Sequence, residues 1–253
     1  MLYVQISQMC GEKCTMKNNK MKLSGYYFLK KYDKKKVNFI TIDGITCSGK
    51  SVFANLLKKK LKNKFKNIFI LSKDLFLLTR EERINFTKKL RGDFLNQNKI
   101  HYDLKKLGYV LKFLKEGNKS KTLILKNLYN RKTGKNNLKL KFKFTNKNLI
   151  IFEGIYVNQD VERFTKPIIK ILIIEKIYES LSRKIERIRD KKISIQHVVT
   201  EFIKIHLQSF KQHLLNNKFD LVFIDRERNF EPIYKGKELQ LKNIRSFLKK
   251  HSY

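Results

Sequence analysis

The chain has 253 residues, of which 42% are hydrophobic, and this share of apolar side chains excludes wholesale disorder. Its formal net charge is +36, from 58 Lys and Arg residues against 22 Asp and Glu residues. No apolar run approaches the roughly 20 residues that span a bilayer, so we expect no membrane partner. A charge this positive attracts nucleic acids, yet the basic residues are spread along the whole chain. We favour a composition bias that fills solvated surfaces with Lys and Asn, and we expect no specific nucleic-acid partner.

The first part of the chain lacks the periodicity of a folded segment. We predict a poorly ordered N-terminal extension over 1–36, followed by a single domain over 37–253. Met1–Met9 lacks a charged lead-in and a small-residue cleavage site, so we expect no signal peptide and a cytoplasmic protein. Cys10 and Cys14 have no second Cys or His pair at metal-ligand spacing, so we expect reduced thiols.

From Val37 onward, short apolar runs alternate with longer amphipathic stretches. The apolar runs predict buried strands at Val37–Asp43, Asn67–Ser72, Asn148–Glu153, Ile168–Ile174 and Leu221–Ile224. The amphipathic stretches predict helices at Lys50–Lys62, Thr79–Leu90, Leu104–Lys115, Ile177–Arg189, Ile195–Leu215 and Glu238–Lys249. Leu138–Phe144 alternates strictly between apolar and basic residues, which predicts a half-exposed strand or hairpin arm. Strands separated by helices indicate an α/β fold with a central parallel sheet and helices on both faces. Ligands of such sheets bind at the carboxyl ends of the strands.

The segment GITCSGKS fits the phosphate-binding pattern G-x-x-x-x-G-K-[ST] at every fixed position. It also has the required context, with an apolar strand before it and an amphipathic helix after it. Backbone N–H groups of such a loop surround phosphate oxygens, and the following helix directs its positive end at the same anion. Lys50 is expected to reach the terminal phosphates of ATP, and Ser51 to help hold Mg²⁺. The predicted ATP-binding residues are Gly44, Ile45, Thr46, Cys47, Ser48, Gly49, Lys50 and Ser51. A chance match in a Lys-rich chain is the less favoured alternative.

Two acidic residues follow predicted strands and are expected near this loop. Asp74 comes after the second strand, and Glu153 ends a later one. A kinase needs one acid near the metal and another near the acceptor hydroxyl, which must lose its proton in line with the γ-phosphate. An ordinary carboxylate that caps a helix is the alternative for each acid alone. Together with the loop, the pair favours phosphoryl transfer.

In this order, the segments resemble the uridine kinase family, within the wider phosphoribulokinase and uridine kinase group. The likeness runs from about Phe39 to Asp225. ITIDGITCSGKS is similar to the family's phosphate loop, LSKDLF to its catalytic-aspartate segment and IIFEGIYV to its glutamate-glycine segment. RKIERIRD is similar to its basic lid helix and FDLVFID to its last strand, and LRGDFLNQNKIHYDLKKL matches a family stretch in length and several residues. The resemblance implies a P-loop NTPase fold with a small β-hairpin insertion and a basic helical lid.

The resemblance also implies roles for the residues at the strand ends. Asp74 would be the catalytic base that accepts the proton of the ribose 5′-hydroxyl. Lys50 would act in catalysis by binding the β- and γ-phosphates. Ser51 and Glu153 would hold Mg²⁺ directly or through water. ATP and Mg²⁺ are therefore the expected cofactors.

Arginines of the predicted lid helix would contact the transferring group. The resemblance assigns catalytic roles to Arg187 and Arg189, and places Arg183 in the substrate site. Guanidinium groups suit this task because their planar donors match phosphate oxygens. A solvated helix face stays the alternative for these arginines. The lid is shorter than in the family, since only Lys191 and Lys192 follow the arginine-aspartate pair.

The expected acceptor pocket departs from the family pattern. Gln97, Asn98 and Lys99 stand where the family has an aspartate that grips ribose, a histidine and a proline. Gln97 can still form a hydrogen bond with a ribose hydroxyl. Tyr129 is assigned as the aromatic wall, although no histidine follows it, and Tyr102 is assigned to the same substrate-binding site.

Three functions stay open from the sequence. The leading hypothesis is an ATP-dependent uridine or cytidine kinase that makes the 5′-monophosphate for pyrimidine salvage. A kinase of the same fold that acts on another metabolite, such as pantothenate or a sugar phosphate, is the first alternative. An RNA-associated P-loop ATPase is the second, and it needs basic residues concentrated on one face. The resemblance further implies a small-molecule acceptor and a homo-oligomer.

Overall fold

The computed structural model describes residues 37–65, 67–89, 101–116, 122–143, 148–188, 194–226 and 229–235. The strands are β1 (Asn38–Gly44), β2 (Asn67–Ser72), β3 (Thr122–Tyr129), β4 (Asn136–Lys143), β5 (Asn148–Glu153), β6 (Ile169–Ile174), β7 (Leu221–Arg226) and β8 (Asn229–Lys235). The helices are α1 (Lys50–Leu61), α2 (Arg80–Lys89), α3 (Leu104–Glu116), α4 (Val157–Glu162), α5 (Ile177–Ile188), α6 (Ile195–Glu201) and α7 (Gln208–Asn216). A 3₁₀ turn at Lys73–Phe76 follows β2, and a π-helical segment at Phe202–Leu207 joins α6 to α7.

The central sheet has the strand order β2-β5-β1-β6-β7-β8. Its first five strands pair in parallel, and β8 pairs antiparallel to β7 at the edge. The carboxyl ends of β1, β2 and β5 lie side by side, because Glu153 is in register with both Ile42 and Ser72. The predicted parallel sheet is confirmed, with an antiparallel edge strand added. The sheet therefore presents three neighbouring strand ends at one site.

Helices cover both faces of the sheet, as the sequence predicts. Successive side chains of a strand point to opposite faces, so Ile40 of β1 packs with α1 whereas Phe39 packs with α3. On the α3 face, α7 covers β6 and β7 through a further cluster around Phe210. Helix α1 follows from its sequence, since Phe53, Leu57 and the other apolar residues on one side are buried. Within the described ranges, no helix is long and apolar enough to cross a membrane.

Several elements differ from the sequence prediction. Strand β4 is the predicted hairpin arm, but its partner β3 was not predicted, and the two form a separate two-stranded sheet. Helix α4 and strand β8 were also missed. The predicted helix Ile195–Leu215 contains the π-helical segment, a feature often found near functional sites. The predicted extension 1–36 and the predicted helix Glu238–Lys249 lie outside the described residues.

Candidate active site

The loop between β1 and α1 has the backbone geometry of a phosphate-binding loop. Gly49 and Cys47 both have positive φ angles, of 86° and 63°. Gly44 is required by close packing, because a Cβ atom there would lie 2.5 Å from Ser48 Oγ and 2.6 Å from the carbonyl oxygen of Ile173. Such a turn aligns successive N–H groups toward one anion at the start of α1. The structure therefore gives GITCSGKS the shape that its sequence predicts.

Lys50 is buried at the base of this loop. Its Nζ donates a hydrogen bond to the carbonyl oxygen of Ile45 at 2.6 Å. Burial lowers the pKa of Lys50 to about 8, and the nearby Glu153 carboxylate opposes that shift only in part. A buried cation with incomplete charge compensation is stabilised when an anion arrives. The electrostatics of Lys50 therefore fit a phosphate ligand.

Ser51 and Glu153 meet across the ends of β1 and β5. The Ser51 hydroxyl donates a hydrogen bond to Glu153 Oε1 at 3.1 Å. Mg²⁺ prefers oxygen ligands and is commonly held by one or two protein groups, with phosphates and water completing the shell. Among the described residues, no group of three or more His, Cys, Asp or Glu side chains could hold a metal. The Ser51 hydroxyl and the Glu153 carboxylate are oxygen ligands that would suit Mg²⁺ bound together with a nucleotide.

Asp74 lies in the 3₁₀ turn that follows β2 and faces the same cleft. The Tyr102 hydroxyl donates to Asp74 Oδ1 at 3.4 Å, so Tyr102 is a neighbour of the predicted base. The backbone of Tyr102 forms an isolated bridge with Leu77, which holds the two segments together. Burial raises the pKa of Tyr102, so its hydroxyl stays protonated at neutral pH and can donate. The second Asp74 oxygen forms an ion pair with Arg131.

Lys73, next to the predicted base, was given no role from sequence and proves to be a buried anchor. Its Nζ forms an ion pair with Asp160 Oδ2 at 2.7 Å and donates to the carbonyl oxygen of Ile155 at 3.0 Å. The ammonium also lies 4.6 Å from the centre of the Tyr102 ring. Lys73 therefore ties the Asp74 turn to the segment that follows Glu153. Removal of one partner from such a buried pair is strongly destabilising, because the other charge is left uncompensated.

One cleft brings the phosphate loop and the two acids together. It encloses about 550 Å³ of space, part of which is open to solvent. Its lining includes the loop residues Thr46 to Ser51, both Asp74 and Glu153, and two arginines, Arg131 and Arg187. Each of these residues except Arg131 has a site role that is predicted from the sequence. Arg131 lies at the tip of the β3–β4 hairpin, and no local pattern marks it.

Arg183, a predicted substrate residue, lies at the ends of β6 and β7. Arg183 forms ion pairs with Glu175 and with Asp225, the latter at 3.2 Å, so its guanidinium holds the ends of β6 and β7 together. Arg183 is not among the residues that line the cleft, and its substrate contact stays a prediction from the resemblance. Burial raises the pKa of Glu175 to about 8, and the Arg183 charge opposes that shift. Among the predicted lid residues, Arg187 therefore reaches the cleft and Arg183 does not.

Tyr129, the predicted aromatic wall, is buried and contacts helix α2. Its side chain is 5% exposed, and its hydroxyl accepts a hydrogen bond from Arg83 Nη2 at 2.6 Å. The Arg83 guanidinium lies 4.8 Å from the centre of the Tyr129 ring. Tyr129 thus anchors the hairpin to α2 and is not part of the cleft lining. Gln97 and Arg189 lie outside the described residues.

Comparisons with known proteins establish the fold. No protein-family model matches the sequence, and no curated protein matches it. A solved D-glycerate 3-kinase from Cryptococcus neoformans is similar at 14% identity with a TM-score of 0.58, over 85% of this chain and 97% of that one. The YGR205w protein is similar at 19% identity and a TM-score of 0.53, over 81% of this chain and 90% of that one.

A third solved structure, described as a possible uridine kinase from Bacillus stearothermophilus, matches at 15% identity with a TM-score of 0.50. That match covers 84% of this chain and 89% of the other. Identities this low show a shared architecture and no shared activity. The chain therefore has the α/β fold of P-loop kinases, with a parallel sheet between helical layers.

Proposed function

We propose that this protein transfers the γ-phosphoryl group of ATP to a hydroxyl group of a small metabolite. The supporting observation is the convergence of the phosphate loop, the Ser51–Glu153 pair and Asp74 on one cleft. In phosphoryl transfer the protein takes little part in the covalent chemistry. It positions the reactants and stabilises the charge of the transition state. The phosphate loop, the Ser51–Glu153 pair and Asp74 each lie where they could perform one part of the transfer.

Each residue of the cleft has a defined task in the proposed reaction. The loop N–H groups and Lys50 bind the phosphates, and Ser51 with Glu153 holds the metal ion that neutralises phosphate charge. Asp74 accepts the proton of the acceptor hydroxyl as its oxygen attacks phosphorus. Arg187 stabilises negative charge on the transferring group. Tyr102 orients Asp74 through its hydroxyl hydrogen bond.

The finer proposal is that the acceptor is uridine or cytidine, phosphorylated at the 5′-hydroxyl in pyrimidine salvage. It is supported by the order of the segments from ITIDGITCSGKS to FDLVFID, which resembles the uridine kinase family. One structural neighbour carries a matching description, as a possible uridine kinase. Cytoplasmic location and a homo-oligomer stay predictions from the sequence.

A coupled assay of ADP release tests this proposal. Purified protein receives ATP and Mg²⁺ with uridine, cytidine, pantothenate, D-glycerate or no acceptor in parallel. Turnover that depends on uridine or cytidine supports the nucleoside assignment. Turnover with another acceptor keeps the kinase and overturns the nucleoside, whereas release that needs no acceptor or is stimulated by RNA favours an ATPase.

A further inference from the structure

The tip of the β3–β4 hairpin is a closed loop. The Asn130 N–H donates to the carbonyl oxygen of Lys135 at 2.8 Å, and the Gly134 N–H donates to the carbonyl oxygen of Asn130 at 2.8 Å. The Asn130 side chain also accepts a hydrogen bond from the Lys132 N–H at 3.0 Å. A loop with these internal bonds has few conformations to lose, so it can present a side chain in a fixed direction.

The same tip is attached to helix α2. The Arg80 N–H donates to the carbonyl oxygen of Gly134 at 3.0 Å, and Arg83 donates to the Tyr129 hydroxyl at 2.6 Å. The two attachments lie on either side of Arg131. The tip of the hairpin is therefore held to α2 on both sides of Arg131.

Arg131 extends from this tip into the cleft. Its guanidinium forms an ion pair with Asp74, and it lines the cleft together with Lys50 and Arg187. Partial burial and the neighbouring Arg187 charge both lower the pKa of Arg131. The cleft is thus lined by three cations, Lys50, Arg131 and Arg187, and by two acids, Asp74 and Glu153. Two guanidinium groups in one cleft are best satisfied by a shared anion that offers several oxygens, and a phosphoryl group does so.

We propose that Arg131 is a catalytic residue whose guanidinium leaves Asp74 when ATP binds and donates hydrogen bonds to the γ-phosphoryl oxygens during transfer. This inference rests on the proposed function and adds a second arginine, from the hairpin, to Arg187 of the lid helix. The ion pair with Arg131 occupies one carboxylate oxygen of Asp74 in this structure. When the γ-phosphate binds, Arg131 moves from Asp74 to the phosphoryl oxygens, and Asp74 becomes free to act as the base.

The proposed step balances in atoms and charge. The acceptor oxygen forms a bond to the γ-phosphorus and gives its proton to the Asp74 carboxylate. The bond between the γ-phosphorus and its bridging oxygen breaks, and ADP leaves with that electron pair. Arg131 stays protonated throughout and contributes hydrogen bonds and charge only. Asp74 is regenerated when its proton passes to solvent after product release.

The test compares nucleotide affinities of Arg131→Gln with those of Lys132→Gln. Lys132 is an exposed neighbour on the same tip, so its substitution removes the same charge without reaching the cleft. Isothermal titration measures the Kd of ADP and of the non-hydrolysable analogue AMPPNP, each with Mg²⁺. In Arg131→Gln we expect unchanged ADP affinity and AMPPNP affinity reduced on the order of 10- to 100-fold, the effect of losing charge-assisted hydrogen bonds. Lys132→Gln should match the wild type for both ligands.

A second arm detects the exchange of partners, which a merely structural role would not produce. Asp74→Asn removes the resting partner of Arg131, so it should strengthen AMPPNP binding in the wild-type background. It should have a smaller effect in the Arg131→Gln background, where no guanidinium is released. This non-additivity is the signature of coupling between the two residues.

The remaining outcomes each contradict a defined part of the inference. Equal AMPPNP affinity in Arg131→Gln and wild type would overturn the role of Arg131 while leaving the proposed function intact. Parallel loss of ADP and AMPPNP affinity would show that Arg131 supports the fold of the loop instead. A raised KM for the acceptor with normal AMPPNP affinity would place Arg131 against the acceptor and overturn the γ-phosphoryl contact. Failure of the wild type to bind ADP with Mg²⁺ would overturn the proposed function together with this inference.

Discussion

The nucleotide side and the acceptor side of the cleft are built in different ways. The nucleotide side is one contiguous segment, Gly44 to Ser51, joined by a hydrogen bond to Glu153 at the end of the neighbouring strand. The acceptor side combines the Asp74 turn, the Tyr102 segment and the hairpin tip, which are far apart in sequence. A contiguous site depends on local backbone geometry, whereas an assembled site depends on tertiary packing.

This difference determines which residues tolerate change. Gly44 has no room for a side chain, and Lys50 is buried beneath the loop. On the acceptor side, Arg131 is partly exposed and reaches the cleft from an attached hairpin. A hairpin tip can exchange side chains without disturbing the sheet, so acceptor specificity can change while the nucleotide site is kept. Substitutions on the nucleotide side should therefore lower ADP affinity, whereas those on the acceptor side should leave ADP affinity unchanged.

The largest expected effect comes from Asp74→Asn. If Asp74 is the base, kcat should fall on the order of 10²- to 10⁴-fold, because the amide cannot accept the acceptor proton. ADP affinity should be unchanged, since ADP has no γ-phosphate to exchange partners with Arg131. Steady-state kinetics with the best acceptor and a parallel ADP titration measure both quantities. Full activity in Asp74→Asn would remove the base from the mechanism.

Lys50→Met tests the nucleotide side of the cleft. We expect kcat to fall on the order of 10²- to 10³-fold, because a charge aimed at the transferring phosphates is lost. ADP affinity should fall as well, which distinguishes this variant from Asp74→Asn. Lys58→Met, on the exposed face of the same helix, is the matched control. If both lysine variants kept normal ADP binding, the buried lysine would not be a phosphate ligand.

The sequence predicted the strands that build the sheet because each is a continuous apolar run. Strand β3 was missed because its alternation breaks at Asn127, where φ is 55° and the register with β4 shifts. Strand β8 contains Pro232, which argues against a strand in sequence and is accommodated here at the sheet edge. Helix α4 is too short for a helical period to show. Local sequence patterns therefore identified the central strands but not β3, β8 or α4.

The site residues also divide into those that local sequence patterns identify and those that depend on tertiary packing. Thr46 to Ser51, together with Asp74 and Glu153, are adjacent to predictable strand ends, and the cleft contains them. Arg131 could not be found because its importance comes from where the hairpin folds back, across a separation of more than fifty residues from Asp74. Tyr129 was assigned to the substrate by resemblance, but packing gives its hydroxyl to Arg83. Arg183 likewise has buried carboxylates as partners that the local helix pattern does not reveal.

Glu153→Gln should give an intermediate effect that depends on metal concentration. Activity at low Mg²⁺ should fall on the order of 10- to 100-fold, because a neutral amide is a weaker group beside the metal. Raising Mg²⁺ should restore part of the loss by mass action. Asp74→Asn is the comparison variant, since a missing base cannot be replaced by more metal. If the loss of activity in Glu153→Gln did not depend on Mg²⁺ concentration, this carboxylate would be assigned to the acceptor side.

The pH dependence of ADP affinity should report the state of Lys50. Its pKa is about 8 in the nucleotide-free protein, and bound phosphates should raise it. Affinity should therefore be highest below about pH 8 and should fall by up to about tenfold per pH unit above it, until the bound-state pKa is reached. Titration in two buffers of different ionisation enthalpy should detect proton uptake on binding above that pH. Lys50→Met should abolish both effects, and their persistence would assign them to another group.

The smallest expected effect comes from Tyr129→Phe, which separates an anchor from a substrate contact. The variant keeps the ring and deletes the hydroxyl that accepts from Arg83, so unfolding free energy should fall by about 1–3 kcal/mol. For a chain of this size each kcal/mol lowers Tm by about 2–4 °C, which calorimetry resolves. Acceptor KM should stay unchanged, because Tyr129 is buried and is not among the residues that line the cleft. Tyr109→Phe is the control, since Tyr109 is 64% exposed and its substitution should leave Tm unaltered. A raised KM at constant Tm would instead restore the aromatic wall and move the acceptor to the far side of the hairpin, away from Arg131.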